Sequence, residues 1–264
     1  MTGNPSLVVK AASALVRGSV HTLDLALEVM GLSGNPGAAS AAVFALLGTD
    51  SRFSVDDQGY WSLVGDPPRD GESLESLRYA VVDVETTGGS PARGHRITEV
   101  AVVEIRDGVI ARDFSTLVNP GRPIPPRIAA LTGITDEMVA GAPFFEDVAE
   151  ELLAWVEGRV FVAHNVSFDW RFVSTQLGDA LGDVPDSPLL CTVLLTRRLA
   201  PGLKRRNLDS VANHFGIPIH ARHRAHGDAL ATARVLLRLL DEARGLGIRD
   251  LRALRGLLRS KTRS

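Results

Sequence analysis

The sequence is poor in cysteine and in aromatic residues, and neither sign of charge dominates it. Cys191 is the one cysteine, which excludes an intrachain disulfide and indicates a reducing compartment. The formal net charge of −2 gives no overall attraction to nucleic acid or to an anionic membrane, so any polyanion site must be local. No apolar run approaches the ~18 residues of a membrane span, and Lys10 interrupts the apolar stretch near the amino terminus, unlike in a signal peptide. These absences predict a cytoplasmic protein with no membrane partner.

A break in the chain is indicated at residues 65–73, where proline, glycine and charged residues cluster as they do in linkers. We predict a small amino-terminal domain over residues 1–68 and a larger α/β domain over residues 76–243. A basic, amphipathic helical tail is predicted to follow over residues 244–264.

The amino-terminal domain has the pattern helix, helix, hairpin. Helical spacing of apolar residues covers 22–32 and 36–48, and two short β-like runs flank a turn within 52–64. This order resembles a small winged-helix unit. Residues 1–70, however, carry 4 basic and 7 acidic residues, whereas a unit that reads DNA usually presents a basic surface. The charge favours a packing or partner-docking role and leaves contact with nucleic acid as the alternative.

The larger domain alternates strands with helices. Three strands come first, with Arg106, Asp107 and Gly108 as the turn between the second and the third. Helices and shorter strands follow, which predicts an α/β fold with a mixed sheet flanked by helices. Strands are predicted over 79–86, 97–108, 111–120, 159–165 and within 187–199, and helices over 135–158 (capped by Thr135 and Asp136), 167–178 (capped by Ser167), within 187–199, 207–217 and 226–244.

Two carboxylates interrupt the apolar strand "YAVVDVET". Asp83 and Glu85 are two residues apart, so their side chains share one face of the strand. Burial of two like charges side by side is unfavourable unless something neutralises them. Asp169 and Asp228 stand near the starts of later helices, where the helix dipole alone also favours an acid. Convergence of all four carboxylates at one end of the sheet would create a site for divalent cations.

Oxygen ligands of this kind suit Mg²⁺ or Mn²⁺, and the sequence offers no set of Cys and His residues for zinc. Two such ions about 3.5–4 Å apart clamp a phosphodiester between an attacking water and a leaving oxygen. Asp83 lies deeper in the strand than Glu85 and is the better candidate to contact both ions. The carboxylates therefore predict a two-metal phosphodiester hydrolase.

Three sequence blocks resemble those of the DEDDh 3′–5′ exonucleases: "DVETTG" (83–88), "HNVSFD" (164–169) and "HRAHGD" (223–228). The resemblance is to the DnaQ-like branch, which includes the proofreading epsilon subunit of bacterial DNA polymerase III, and it covers roughly residues 78–243. It implies an RNase H-like exonuclease fold. It also implies that the metal ligands are Asp83, Glu85, Asp169 and Asp228, and that the general base is His223, with His226 as the second candidate. A neutral imidazole at that position can take a proton from the attacking water.

The same resemblance implies that three stretches contact the terminal nucleotide of the substrate. These stretches contain Thr86, Thr87 and Gly88, then Leu131 and Thr132, and finally Asn165 and Phe168. Two of these residues have structural alternatives, since Phe168 is equally suited to the core and Gly88 allows a sharp exit from the strand.

The implied activity is two-metal release of nucleoside 5′-monophosphates from the 3′ ends of single-stranded or frayed DNA, in proofreading or repair. A replication or repair protein is a further expected partner. Two alternatives stay open: a 3′–5′ exoribonuclease of the same fold, and a non-catalytic module that binds nucleic acid or regulates another protein. Two basic clusters, within 197–206 and 244–264, suit either a solvated surface or contact with a phosphate backbone.

Overall fold

The structure is a computed structural model with two β-sheets, a three-stranded sheet near the amino terminus and a five-stranded sheet in the remainder. It describes residues 7–15, 19–50, 52–56, 58–63, 72–182 and 184–259. Within these ranges, no helix is long and apolar enough to cross a membrane.

The amino-terminal residues form a small α+β unit around Trp61, which is buried and donates its indole N–H to Oγ1 of Thr22 at 3.0 Å. Its elements are α1 Leu7–Leu15, β1 Val20–His21, α2 Thr22–Met30, α3 Pro36–Leu47, β2 Phe53–Val55 and β3 Tyr60–Leu63, with sheet order β1-β3-β2. The predicted helices and hairpin are present, whereas α1 and β1 were not predicted. The winged-helix assignment remains a prediction.

Two of the predictions for this region lie outside the described residues. Asp57, in the predicted hairpin turn, is one of them, and most of the predicted break at 65–73 is the other. The boundary between the two predicted domains therefore stays a prediction.

The five-stranded sheet is mixed. Its strands are β4 Tyr79–Thr86, β5 Ile97–Arg106, β6 Val109–Leu117, β7 Val160–Ala163 and β8 Leu189–Cys191, in the order β6-β5-β4-β7-β8. β4, β5 and β6 pair antiparallel, whereas β7 is parallel to both β4 and β8. The predicted turn between β5 and β6 is confirmed, because Asp107 and Gly108 have the positive φ angles, 52° and 73°, that a two-residue hairpin needs.

Helices cover both faces of this sheet. The helices of this unit are α4 Pro126–Thr132, α5 Asp136–Val139, α6 Phe145–Val156, α7 Val166–Leu181, α8 Thr192–Leu199, α9 Leu208–His214, α10 Ala225–Gly245 and α11 Leu251–Arg259. Tyr79 and Val81 of β4 pack with α10 on one face, whereas Ala80 and Val82 pack with α6 and α7 on the other. Alternate residues of β4 thus pack into two separate hydrophobic cores, one on each face of the sheet. The predicted α/β fold with a mixed sheet flanked by helices is confirmed.

The prediction of one helix over 135–158 is wrong. α5 ends at Val139 and α6 begins at Phe145, with Pro143 in the segment between them. Proline has no N–H to donate, and it pushes the preceding residue out of helical backbone conformation. The carboxylate of Asp147 then caps the second helix by accepting the N–H of Phe144 at 2.9 Å.

Two predicted helix caps also differ from the structure. The N-cap of α7 is Asn165 in left-handed conformation, with φ of 82°, so Ser167 lies in the first turn instead. Thr135 holds the N-cap position of α5 without a capping side-chain bond, and Asp136 accepts the N–H of Ile124 at 2.9 Å. In addition, α4 was not predicted, although it begins at Pro126, in the first helical position that proline favours.

The carboxy-terminal helix α11 packs on the core of the larger unit. Leu251 and Leu254 are buried there, as the leucine stripe of the predicted amphipathic tail requires. Backbone hydrogen bonds join Leu251 N–H to Glu72 O and Leu74 N–H to the carbonyl of Arg249. The start of α11 is therefore attached to the segment that leads into the amino-terminal end of β4.

Candidate active site

The carboxyl end of β4 carries two acidic side chains on one face. Tyr79 and Val81 place that face against α10, and the alternation of the strand brings Asp83 and Glu85 to the same side. Both acids are half-buried, in contrast to the fully buried valines around them. The strand thus holds two carboxylates at the border between core and surface.

Asp228 meets these two carboxylates from the first turn of α10. It is buried, and its carboxylate oxygens approach those of Asp83 and Glu85 so closely that one oxygen from each residue lies within 4.8 Å of the others. Asp169, in the first turn of α7, is also buried, and its Oδ1 accepts the backbone N–H of Val84 at 3.2 Å. The structure therefore brings all four predicted acids to the end of β4, with three of them in one tight group.

Crowding and burial raise the pKa values of these carboxyls. Burial, followed by the charges of Asp169, Glu85 and Asp228, raises the pKa of Asp83 well above its ordinary value. Burial, followed by the charges of Asp228 and Glu99, raises the pKa of Glu85 to about 7.

Burial also raises the pKa of Asp169 to about 8, although two backbone hydrogen bonds oppose the shift. The pKa of Asp228 rises with burial too, against the opposing charge of Arg222. Like charges held together in this way favour either protons or cations.

The residues present fit a divalent cation. The three grouped donors are all carboxylate oxygens, which suit Mg²⁺ or Mn²⁺. Oδ1 of Asp228 is buried and accepts no hydrogen bond from any residue in the described ranges. A buried carboxylate oxygen without a donor is thus left for a further ligand.

Three residues that the sequence reasoning missed support this cluster. Glu99 of β5 accepts two N–H groups of the Arg224 guanidinium and the backbone N–H of Ala225, which fixes the start of α10. Arg222 pairs with Asp228 and with Asp209, at 3.0 Å in the second case.

Glu99 is a charged residue within the apolar run "ITEVAVVEI", the same signal that identified Asp83 and Glu85. Arg222 had no comparable signal.

The two histidines of the third block have different surroundings. His223 has φ of 62°, donates its backbone N–H to Oδ2 of Asp228 at 3.2 Å, and places Nδ1 3.4 Å from a guanidinium nitrogen of Arg222. His226 instead pairs through Nε2 with Asp113 of β6 at 2.9 Å. The structure therefore brings His223, rather than His226, to the acidic cluster.

The predicted nucleotide contacts divide into buried and exposed residues. Thr86, Thr87 and Gly88 are buried, and the hydroxyl of Thr87 accepts the N–H of Arg96 at 3.1 Å. Thr132 is buried as well and donates its hydroxyl to the carbonyl of Ile128.

The other candidates are more accessible. The side chain of Leu131 is 54% exposed, and Asn165 is exposed at the start of α7. Phe168 is half-buried and packs against Phe172 of the core, with ring centroids 5.2 Å apart. Leu131 and Asn165 are thus the side chains of this set that face solvent most fully.

His164 of the second block has a structural position that was not predicted. Burial lowers its pKa and so favours the neutral ring, which carries one N–H. Nε2 lies 2.9 Å from the carbonyl of Arg206, which can only accept, so this nitrogen donates. Nδ1 then accepts the hydroxyl of Thr192 at 2.9 Å. His164 therefore joins the loop before Asp169 to the loop before α9.

Comparisons with known proteins match this geometry. The family model described as "Exonuclease" (RNase_T) matches residues 80–236, which include the four acids and His223. The chain is 40% identical over 184 residues to "3'-5' exonuclease DinG" of Bacillus subtilis (strain 168), covering 70% of this chain and 20% of that protein. The chain thus spans about a fifth of the length of this relative.

Two further relatives are covered over most of their length. "DNA polymerase III subunit epsilon" of Aquifex aeolicus (strain VF5) is 37% identical over 171 residues, with 65% of this chain and 84% of that protein covered. The solved structure "Exonuclease X in complex with 5' overhanging duplex DNA" has a TM-score of 0.51 and 32% identity, and the match covers 62% of this chain and 91% of that one. The predicted RNase H-like exonuclease fold is confirmed by this similarity.

Proposed function

Because the chain belongs to the DnaQ-like DEDDh family of 3′–5′ exonucleases, we propose that it hydrolyses DNA from the 3′ end and releases nucleoside 5′-monophosphates. The observation that carries this proposal is the approach of Asp83, Glu85 and Asp228 within 4.8 Å of one another, with Asp169 beside them. A buried group of like charges is unfavourable for stability alone, so a function is the better reason for it.

The four acids are the proposed metal ligands, two ions of Mg²⁺ or Mn²⁺ being expected. When bound, such ions neutralise the charge of a phosphodiester and lower the pKa of the attacking water. Asp83, in the middle of the group, is the ligand we expect to be shared. Its position on a central strand, buried on the opposite face, keeps the carboxylate in one place.

His223 is the proposed general base, which accepts a proton from the attacking water at a ring nitrogen. Its backbone N–H is bound to Asp228, so the imidazole stays at the edge of the acidic cluster. Leu131 and Asn165 are the proposed side-chain contacts of the terminal nucleotide, because they are exposed. We propose that less accessible residues support this contact with the terminal nucleotide from beneath the surface: Thr86, Thr87, Gly88, Thr132 and Phe168.

The proposed partners are single-stranded or frayed DNA 3′ ends and a replication or repair protein. The relative named "DNA polymerase III subunit epsilon" supports the second partner. We propose that the amino-terminal unit docks that protein instead of reading DNA, since α3 carries no charged residue and exposes Phe44.

The test is an assay of the purified protein with 5′-labelled DNA and RNA strands, in Mg²⁺, in Mn²⁺ and in excess EDTA. We expect DNA to shorten stepwise from the 3′ end and nucleoside 5′-monophosphates to accumulate. Both should occur only when Mg²⁺ or Mn²⁺ is present. Full activity in EDTA or shortening from the 5′ end would refute the proposal. Faster shortening of RNA than of DNA would instead make the chain an exoribonuclease.

A further inference from the structure

A basic loop formed by Lys204, Arg205 and Arg206 lies between α8 and α9, at the border of the candidate active site. The first evidence for this position is the hydrogen bond from Nε2 of His164 to the carbonyl of Arg206, at 2.9 Å. His164 lies between β7 and α7, and the metal-ligand candidate Asp169 follows in the first turn of α7. The basic loop is therefore attached to the segment that delivers Asp169.

A second contact, through α9, attaches the same carboxy-terminal end of the loop to the site. Asn207 follows the three basic residues and caps α9 by accepting the N–H of Ser210 at 3.0 Å. Asp209, in the first turn of α9, binds Arg222, and Arg222 in turn binds Asp228. The carboxy-terminal end of the loop is thus linked to the segments that carry Asp169 and Asp228, through His164 and through Arg222.

The charges of this loop are not balanced by neighbouring acids. Lys204 and Arg205 are exposed, and neither forms an ion pair with a carboxylate in the described part of the chain. Other arginines near the site, such as Arg222 and Arg224, do have carboxylate partners. Adjacent cations without internal partners favour binding of an external anion with several charges.

We propose that Lys204 and Arg205 bind phosphodiester groups of the substrate strand, on the 5′ side of the nucleotide that is removed. This inference rests on the proposed 3′–5′ exonuclease function. Nothing lies beyond the 3′-terminal nucleotide of such a substrate, so phosphates that extend outside the site belong to the 5′ portion of the strand. The proposal makes the loop a contact that positions the strand and leaves the chemistry to the acidic cluster.

The second basic cluster is less suited to this role. α11 begins next to residues 72–74, which lead into the amino-terminal end of β4, whereas Asp83 and Glu85 lie towards the opposite end of that strand. Arg249 and Arg252 are exposed near the start of α11. They provide a matched control, because their replacement also removes two positive charges, but near the amino-terminal end of β4.

The experiment compares the wild type, Lys204→Gln/Arg205→Gln and Arg249→Gln/Arg252→Gln, each as the full chain. Binding of a fluorescein-labelled single-stranded DNA is measured by anisotropy in Ca²⁺ over a range of salt concentrations. Loss of two phosphate contacts should make the slope of log Kd against log salt shallower by about 1.4, and weaken binding about tenfold near 0.15 M salt. The control pair should keep the wild-type slope.

Turnover is then measured in Mg²⁺ on two substrates. On the DNA strand, Lys204→Gln/Arg205→Gln should raise KM about tenfold with little change in kcat, since the contact is equally strong before and during the reaction. On the 4-nitrophenyl ester of thymidine 5′-monophosphate, which has no 5′ strand, the same variant should match the wild type.

An unchanged Kd, KM and salt slope in the loop variant, with active wild type, would overturn the inference, as would an equal effect of the control pair. A wild type that cleaves neither substrate would refute the proposed function itself.

Discussion

The backbone N–H of His223 donates to Oδ2 of Asp228 at 3.2 Å, so the proposed general base is held at the acidic cluster by its own main chain. His223 takes up a left-handed conformation, with φ of 62°, to make this contact. A non-glycine residue in that conformation carries a conformational cost, and such costs are concentrated at functional positions. His226, three residues further on, is bound to Asp113 instead.

His223→Ala should lower the single-turnover rate by about 10²- to 10⁴-fold, the usual contribution of a positioned base. Substrate affinity should change little, because proton transfer belongs to the transition state. A higher pH should restore part of the rate, since hydroxide needs no base. The measurement is cleavage of one DNA strand between about pH 6 and pH 9.

His226→Ala is the control for this variant, and it should retain most of the activity because it loses only an exposed pair with Asp113. An inactive His226→Ala together with a near-wild-type His223→Ala would show that the base is assigned to the wrong histidine.

Asp83→Ala should nearly abolish cleavage without unfolding the protein. The carboxylate of Asp83 lies among those of Asp169, Glu85 and Asp228, and burial together with their charges disfavours its ionised form. Its removal therefore relieves repulsion in the metal-free protein. We expect an unchanged or higher Tm in EDTA, together with loss of turnover and of Mn²⁺ binding by calorimetry. A large drop in Tm with ordinary residual turnover would mean that Asp83 has a structural role.

The contribution of the acidic cluster to the stability of the metal-free protein should fall as pH rises from about 5 to about 9. Burial, with neighbouring carboxylates, raises the pKa of Glu85 to about 7, and burial raises that of Asp169 to about 8. An acid with a raised pKa holds its proton in the folded state, so its contribution to stability is complete below the unfolded value near 4 and is lost as pH passes through the folded value.

Tm measured in EDTA across that pH range tests this expectation, with excess Mg²⁺ as the comparison. Magnesium should offset the loss at high pH, because ionised carboxylates bind it best. Glu85→Gln should flatten the EDTA curve. A Glu85→Gln protein whose Tm in EDTA depends on pH as strongly as that of the wild type would contradict the raised pKa of Glu85.

We expect that the exposed surface of α3 in the amino-terminal unit is not needed for cleavage of DNA. Phe44→Glu places a charge on the uncharged helix α3, where Phe44 is 47% exposed. If α3 docks a protein, the variant should keep the wild-type KM and kcat on DNA. A rise in KM that disappears at high salt would indicate that α3 contacts the nucleic acid.

The parts of the site that were predictable are those with a local signal. Asp83 and Glu85 stand out because charge interrupts an apolar strand, and Glu99 has the same signal in the next strand. Pro143 likewise marks the break between α5 and α6, where apolar spacing alone predicted one helix. Each of these features is visible within a few neighbouring residues.

The contacts that were not predictable join distant segments. His164 reaches the carbonyl of Arg206 across 42 positions, and Glu99 reaches Arg224 across 125. Neither pair has a local pattern, because each forms only after the sheet has assembled and α9 and α10 have packed on it. The pair between Arg222 and Asp228 spans six positions and also has no local signal, because it depends on the backbone path of the loop between α9 and α10.

Gly227 is required by the close approach of that same loop to the first turn of α10. A Cβ atom at Gly227 would lie 2.7 Å from the carbonyl oxygen of Ala221 and closer still to that of His220. Both contacts are with backbone, which cannot move aside as a flexible side chain can. Gly227→Ala should therefore push the loop outward, and His223 with it.

We expect Gly227→Ala to reduce kcat more than tenfold while it lowers stability by about 1–3 kcal/mol, the usual cost of overpacking. The control is Gly245→Ala at the end of the same helix, where an added Cβ meets nothing within 4 Å. That variant should keep the wild-type kcat and gain up to about 1 kcal/mol, because alanine favours helix over glycine. Rates and urea unfolding of both variants decide the matter, and a Gly227→Ala protein with wild-type kcat would show that the loop does not position His223.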